Sequence, residues 1–531
     1  MNNSDLIVRT LERNGVRWVF GVPSGPVLPL IDALRRSSVE FVLTANETSA
    51  GFMACAVGYL TGIPGVCVST VGPGATNLTT GVGCAWLDRA PLLAITCNVA
   101  TPWLERRIQM RIDHNALFRP LTKATFSFQG SPVEKTLSEA IAIATTEPPG
   151  PVHIDLPEDI SRAEQPEFAA SIAASCGLSD LSQELKEIIS TALANSHRPL
   201  LLTGLTFTRS KSGEKLLQFI ERQRLPFVST MHAKGFLPEN HANWMGVIGR
   251  ARRTDVKAFT DRADLIIAIG YDPIEINYEE WVGAIPIIHV SSEAAECSDG
   301  LNFLWNKACD LDAAITAMSG IEPAANDWSA PEWRRHRATL ERALRPSCSG
   351  FAAYQVLDIV RERLPHDGIL AYDVGAHTHQ IATQWRSELP RTLLSTNGWS
   401  SMGYGMPAAF AAKLVCPDRS VVGVVGDGCF QMTVGELALA RRLNLAVPTI
   451  VLNDGWLGLM KVKQERKNYP LSGVFLSVPA ESPPHYFGVP CRPAKTPEEF
   501  RQAIDWSFAL DGPSVIEAFI DVEAYSTTVF D

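Results

Sequence analysis

Val421-Val422-Gly423-Val424-Val425 is an unbroken β-prone run that gives way at once to Gly426-Asp427-Gly428, and the run from Val447 to Leu452 does the same before Asn453-Asp454-Gly455. Runs that are apolar at every residue, not at every second one, are strands covered on both faces, the habit of parallel sheets flanked by helices. Strand-like and helix-like segments alternate along the whole chain, so the expected fold class is α/β, with doubly wound parallel sheets. Such sheets bind ligands where their strands end. Gly426 and Gly428 let the backbone approach a phosphate oxygen, and Asp427 sets a hard carboxylate oxygen beside it. Residues 433 to 443 are expected to form a helix, N-capped by Thr433, with its positive end aimed at the anion.

An isolated Gly-Asp-Gly is most often only a turn. Here a strand on each side and Asn453 at the end of the second strand favour a site. Magnesium prefers six oxygens, and the Asp427 carboxylate, the Asn453 amide, the Gly455 carbonyl, two phosphate oxygens and one water supply them. The spacing resembles the magnesium-diphosphate motif of thiamine diphosphate enzymes.

At 531 residues the chain should hold roughly three or four domains of about 150 residues. Three blocks separate: 1–165, 186–330 and 350–531, with a polar connector near 164–185 and a second one from Pro323 to Pro331. A net charge of −10 argues against nucleic acid or an anionic membrane as partner, but not against an anionic metabolite. The N-terminus lacks a basic segment followed by an apolar core, and no apolar run reaches a membrane span, so a cytoplasmic location is expected. The 11 cysteines form no C-x-x-C pair. Cys55, Cys67, Cys97 and Cys416 sit in apolar runs and read as reduced core residues.

A wider resemblance joins these features. Phe20-Gly21-Val22-Pro23-Ser24-Gly25, Glu47, Ala56 to Gly62, Gly72-Pro73-Gly74-Ala75-Thr76-Asn77 and Pro120 to Lys123 resemble, in the same order, the pyrimidine-binding domain of the acetolactate synthase family. Gly398 to Pro407 and the metal motif resemble its diphosphate-binding domain, and Gly270 to Glu275 is similar to its catabolic, flavin-free branch. The resemblance implies three doubly wound domains, pyrimidine-binding, central and diphosphate-binding, with thiamine diphosphate and Mg2+ as cofactors. It makes Glu47 the carboxylate that exchanges a proton with the aminopyrimidine, although locally Glu47 is only an acidic residue in a first helical turn. Met402 becomes the apolar prop that bends the cofactor. Pro23, Gly72, Asn77, Gly398, Gly426, Gly428, Trp456, Leu457 and Gly458 become cofactor contacts, and His377, within Asp373 to His377, a contact at the diphosphate end. A homodimer or homotetramer is implied, with the active site at a subunit interface.

The implied reaction is decarboxylation of a 2-oxo acid followed by carboligation to a carbonyl acceptor. Release of an aldehyde, or a non-catalytic family member, are the alternatives. Simple decarboxylation calls for a placed acid, and where pyruvate decarboxylases carry a His-His pair this chain has His114 alone, which favours carboligation. Ala45-Asn46 replaces the synthase Arg-His. Its His-Gln pair becomes Gln109-Met110, unless a one-residue shift makes Gln109 the substrate glutamine. Lys123 and Arg119 are candidate carboxylate anchors. Thr203-Gly204-Leu205-Thr206 offers no glycine-rich phosphate turn, so flavin is not expected.

Overall fold

The computed structural model describes residues 1–128, 132–166, 181–276, 281–296, 301–476 and 481–529. Most of the connector expected near 164–185 therefore lies outside the described residues. In the N-terminal part, β1 (Trp18–Gly21), β2 (Glu40–Leu43), β3 (Gly65–Ser69), β4 (Leu92–Asn98), β5 (Ala124–Ser127) and β6 (Pro151–Pro157) form a parallel sheet of order β2-β1-β3-β4-β6-β5. The central part contains β7 (Pro199–Thr203), β8 (Phe227–Ser229), β9 (Trp244–Val247), β10 (Leu265–Ile269), β11 (Pro286–Ser291) and β12 (Asn302–Ala308), in the parallel order β12-β11-β10-β7-β8-β9. The C-terminal sheet runs β14-β13-β15-β16-β19-β18-β17, from β13 (Ile369–Tyr372), β14 (Leu393–Leu394), β15 (Val421–Gly426), β16 (Pro448–Asn453), β17 (His485–Tyr486), β18 (Val489–Ala494) and β19 (Ser514–Phe519). In it only the β17–β18 pair is antiparallel.

The expectation of three doubly wound parallel sheets holds. The strands not anticipated from sequence lie at or next to sheet edges; some are buried on one side only, which removes the continuous apolar signal, while β9 and β14 are buried but short. In β12 only Trp305 is buried, and β18 carries Pro490 and Pro493, beside a partner strand of two residues.

With β17 set aside, the first and third sheets have the same strand order. In each, the chain crosses from one side of its first strand to the other, placing a switch point between β1 and β3 in the first and between β13 and β15 in the third. Crevices at such switch points are where doubly wound sheets take ligands. Loops Val22–Gly25 and Thr70–Gly72 flank the first crevice, and Asp373–Gly375 and Gly426–Asp427 the second.

One core runs through both outer domains. The helix Glu47–Thr61 packs on Pro73–Leu87 and on Gly405–Val415, and Phe52 meets Tyr404 edge to face at 5.7 Å. Gly51 and Gly81 let the first two helices touch backbone to backbone: a Cβ on Gly51 would lie 2.7 Å from the Gly81 Cα, and one on Gly81 2.5 Å from the Gly51 Cα.

One local expectation is corrected. No helix starts at Thr433. The strand hands over directly to a helix Asp427–Thr433 with Gly426 at its N-cap, and a second helix spans Glu436–Arg442. The Thr433 hydroxyl bonds back to the Cys429 carbonyl at 3.3 Å, as a last-turn residue does.

All described cysteines are free thiols. Cys55, Cys67 and Cys97 are buried and Cys416 half-buried. Among the described residues no helix is long and apolar enough to cross a membrane.

Candidate active site

Glu47 opens its helix immediately after β2. Asn46 is the N-cap, its side-chain oxygen accepting the Ser49 N–H at 2.9 Å. Glu47 is 8% exposed, and a carboxylate in a first turn suits the helix dipole. Asn77, on the helix Pro73–Leu87, donates its amide to Glu47 Oε2 at 3.1 Å. Gly74 keeps the other oxygen clear, because a Cβ there would lie 3.1 Å from Glu47 Oε1.

Gly72 adopts φ +68°, and a Cβ on it would lie 2.3 Å from the Met110 carbonyl oxygen, so this loop admits only glycine. Its N–H donates to His114 Nε2 at 3.3 Å, and His114 Nδ1 lies 2.9 Å from Asp155 Oδ1. The proton of the neutral ring therefore sits on Nδ1, facing Asp155. His114 is buried and holds the loop in place. Pro23 lies exposed after β1, across the switch point, and Gln109 and Met110 are exposed on the segment against Gly72.

Lys123 stands elsewhere. It precedes β5, at the N-terminal edge of the sheet, whereas Glu47 follows the C-terminal end of β2. Its ammonium donates to the carbonyls of Thr146 and Pro148 at 2.7 and 2.8 Å. Burial holds its pKa below the usual lysine value. Lys123→Ala is expected to leave the KM for substrate unchanged while costing about 1.5–3 kcal/mol of stability, the worth of hydrogen bonds from a charged donor. Denaturant unfolding beside steady-state kinetics checks both; a KM raised tenfold would return Lys123 to the site.

The second cluster surrounds the end of β15. Asp427 Oδ1 accepts the Gly428 N–H and Oδ2 the Gly455 N–H, each at 2.8 Å. Burial still raises its pKa to about 6, against the pull of those donors. Asp454 is raised to about 8, by burial first and then by Asp427, and accepts the Trp456 N–H at 2.8 Å. Asn453 ends β16 and is buried. The Gly455 carbonyl accepts Leu476 N–H at 2.8 Å, which leaves one lone pair. Above Gly428, an added Cβ would meet Leu457 Cδ2 at 2.9 Å and Met402 Cε at 3.1 Å. Gly458 starts the helix Gly458–Arg466, and a Cβ on it would lie 3.0 Å from Asp454 Oδ2.

His377 lies at the switch point, where a Cβ on Gly426 would be 3.1 Å from its Cε1. It is 4% exposed, and its Nε2 is buried without a hydrogen-bond partner. Burial drops its pKa to about 4, although a hydrogen bond to the Asp373 backbone opposes the shift. An orphaned imidazole nitrogen, closely approached glycines and two carboxylates, Asp427 buried and Asp454 half-buried, suit a phosphate accompanied by a hard cation. Among the described residues no group of three His, Cys, Asp or Glu side chains converges on one point. A cation at Asp427 must complete its shell from Asn453, a carbonyl and the ligand itself.

Three carboxylates hold the two clusters in shape: Asp373, expected within the run that reaches the diphosphate end, and Asp88 and Glu436, which the sequence did not flag. Asp373 does not point outward. Fully buried, it accepts the N–H groups of Val374, Gly403 and Gly405 at 2.8, 2.9 and 2.9 Å, which fixes the far side of Met402. Asp88 accepts the N–H groups of Asn397 and Gly398 at 3.1 and 2.8 Å, and a Cβ on Gly398 would strike Leu87, so Gly398 serves this interdomain seam. Glu436 accepts the Ala45 N–H with both oxygens, at 3.0 and 3.1 Å, and so fastens the lead-in to Glu47 onto the C-terminal domain. Nothing local announces a pairing 391 residues apart. Glu436 opens its helix, where an acid suits the dipole on its own account, so its position carried no hint.

Two crevices at switch points, one with a buried glutamate and one shaped for a diphosphate, define the class. The description "Thiamine pyrophosphate enzyme, N-terminal TPP binding domain" matches residues 1–117, the central domain of that family residues 187–315, and its C-terminal TPP binding domain residues 373–518. The chain belongs to the thiamine pyrophosphate enzymes, and within them to the acetolactate synthase large-subunit group. It is 30% identical to the acetolactate synthase isozyme 1 large subunit of Escherichia coli, covering 89% of this chain and 84% of that one. To the acetolactate synthase large subunit of Corynebacterium glutamicum it is 31% identical, over 87% of this chain and 76% of the relative. A probable acetolactate synthase large subunit of Methanocaldococcus jannaschii is 29% identical over 98% of this chain and 92% of its own length. The protein is a thiamine diphosphate-dependent enzyme.

Proposed function

We propose that this enzyme is a magnesium-dependent carboligase that decarboxylates a 2-oxo acid and joins the remaining carbon nucleophile to a second carbonyl compound. When bound, thiamine diphosphate supplies the electron sink that permits loss of carbon dioxide. Glu47, buried and with its direction fixed by the Asn77 hydrogen bond, would be the group that exchanges a proton with the aminopyrimidine ring. Asp427, Asn453 and the Gly455 carbonyl would hold the cation, and His377, with its orphaned Nε2, would meet the diphosphate.

The observation that carries carboligation over aldehyde release is the state of His114. Its Nε2 accepts the Gly72 N–H and its Nδ1 faces Asp155, so it offers no proton to a bound intermediate. Mass spectrometry of products from paired 2-oxo acids and aldehydes tests this reading; free aldehyde as the sole product would replace it with a decarboxylase. Glu47 and Asp427 belong to separate clusters at separate sheets, and exposed apolar residues surround both, among them Met110 at 42%, Met432 at 57% and Phe475 at 69%. These surfaces support a homodimer or homotetramer in which a second copy completes each site.

No flavin is needed in this reading. At the switch point of the central sheet, Glu275 Oε2 already accepts the Leu205 N–H at 2.7 Å, the donor that a dinucleotide phosphate would require. The purified holoenzyme is expected to be colourless, and a flavin absorbance band that survives dialysis and appears in the supernatant on denaturation would overturn this.

A further inference from the structure

The crevice between β7 and β10 holds more than Glu275. His232, on the segment after β8, lies 3.3 Å from Glu275 Oε1 and 3.6 Å from Asp88 Oδ1. All three side chains are nearly sealed from solvent, at 5%, 1% and 6% exposure for His232, Glu275 and Asp88. Asp88 comes from the N-terminal domain, as C-cap of the helix Pro73–Leu87. The same Oδ1 that faces His232 accepts the N–H groups of Asn397 and Gly398, from the C-terminal domain. Asn397 in turn donates its amide to the Glu275 carbonyl at 2.8 Å and accepts from Arg250. Residues from all three domains thus meet at the start of the loop 397–405, which carries Met402 and whose other end Asp373 holds.

We propose that His232 is a positioning residue: as an imidazolium between Asp88 and Glu275 it keeps Asp88 seated on the 397–398 backbone and so fixes the loop that carries Met402. The proposal rests on the thiamine diphosphate reading of Met402 but not on which carbonyl acceptor is used. Two buried carboxylates converging on one ring need a positive charge between them. The charged groups facing the ring are Asp88, Glu275 and, with opposing effect, Arg250. Cys84 lies against the other Asp88 oxygen at 3.3 Å, and burial keeps its thiol protonated. Burial alone would lower the His232 pKa, but the two carboxylates outweigh it and raise it above the ordinary 6.5. The sign follows: the clamp is complete below the ordinary imidazole range and is released as pH climbs through the raised value.

Hydrogen exchange read by mass spectrometry on the full-length holoenzyme tests this directly, beside kinetics of His232→Gln. Exchange at Asn397 and Gly398 is expected to quicken at least about tenfold in the variant, while Gly403 and Gly405 keep their protection. A decline in kcat on the alkaline side is expected in the wild type and absent in His232→Gln, whose kcat is about ten- to a hundredfold lower at neutral pH with KM little changed. Unaltered exchange at 397–398, or loss of protection spread evenly over the whole chain, would overturn the proposal. If the variant does not fold, the wild type decides: after correction for intrinsic rates, protection of 397–398 must fall over the same pH range as activity, and constant protection rejects the clamp. A wrong product in the mass-spectrometric screen with this exchange pattern intact would sink the carboligase reading alone.

Discussion

Replacing Glu47 by glutamine is expected to lower turnover by about 10²- to 10⁴-fold, the share ordinarily supplied by a placed acid–base group. Glutamine has the same length and keeps an oxygen to accept the Asn77 amide, so the helix start and the pocket survive. What it lacks is a proton it can exchange. Binding of thiamine diphosphate should stay within about tenfold, ~1.4 kcal/mol, because the pyrimidine still meets a polar group of the right shape. Calorimetric titration together with kcat separates the two quantities. Unchanged turnover would reject the role assigned to Glu47, and lost binding would make it a structural contact.

The second large effect is expected at Asp427. Asp427→Asn keeps the volume but removes the charge and sets an NH2 group against one of the two backbone N–H groups that the carboxylate now accepts. With magnesium present, affinity for thiamine diphosphate should fall at least about a hundredfold, ~2.7 kcal/mol, and the difference between titrations with and without the metal should vanish. A variant whose cofactor binding still responds fully to magnesium would place the cation elsewhere.

The chain's local grammar exposed its central strands and the crevice at Gly426, because a strand buried on two faces writes itself as consecutive apolar residues and a phosphate loop writes itself in glycine, whereas the crevice at Glu47 came only with the family resemblance. Helix starts were less legible. Thr433 satisfies every rule for an N-cap, yet the strand's last residue passes straight into a helix at Asp427, and nothing in the sequence separates a cap from a last turn. Lys123 shows a second limit. A lysine near a site reads as an anchor for a carboxylate, but its position before β5 puts it at the opposite edge of the sheet, where two carbonyls take its protons. Asp88 and Glu436, and the inward turn of Asp373, were illegible for a different reason. Their partners are backbone N–H groups, which every residue has and no sequence advertises.

The contact between Gly51 and Gly81 has a bearing on how such an enzyme can change what it acts upon. With no side chain between them, the helices that begin near Glu47 and Asn77 cannot be edged apart or together by exchanging one residue for a larger one. That wall of the pocket is fixed in its width, whatever the substrate. Variation is left to the rim: the exposed segments around Pro23, Gln109–Met110 and Leu471–Phe475 can trade residues without disturbing the shared core. Relatives built on this frame should differ in their choice of carbonyl partner at those three segments, and agree where the two glycines meet.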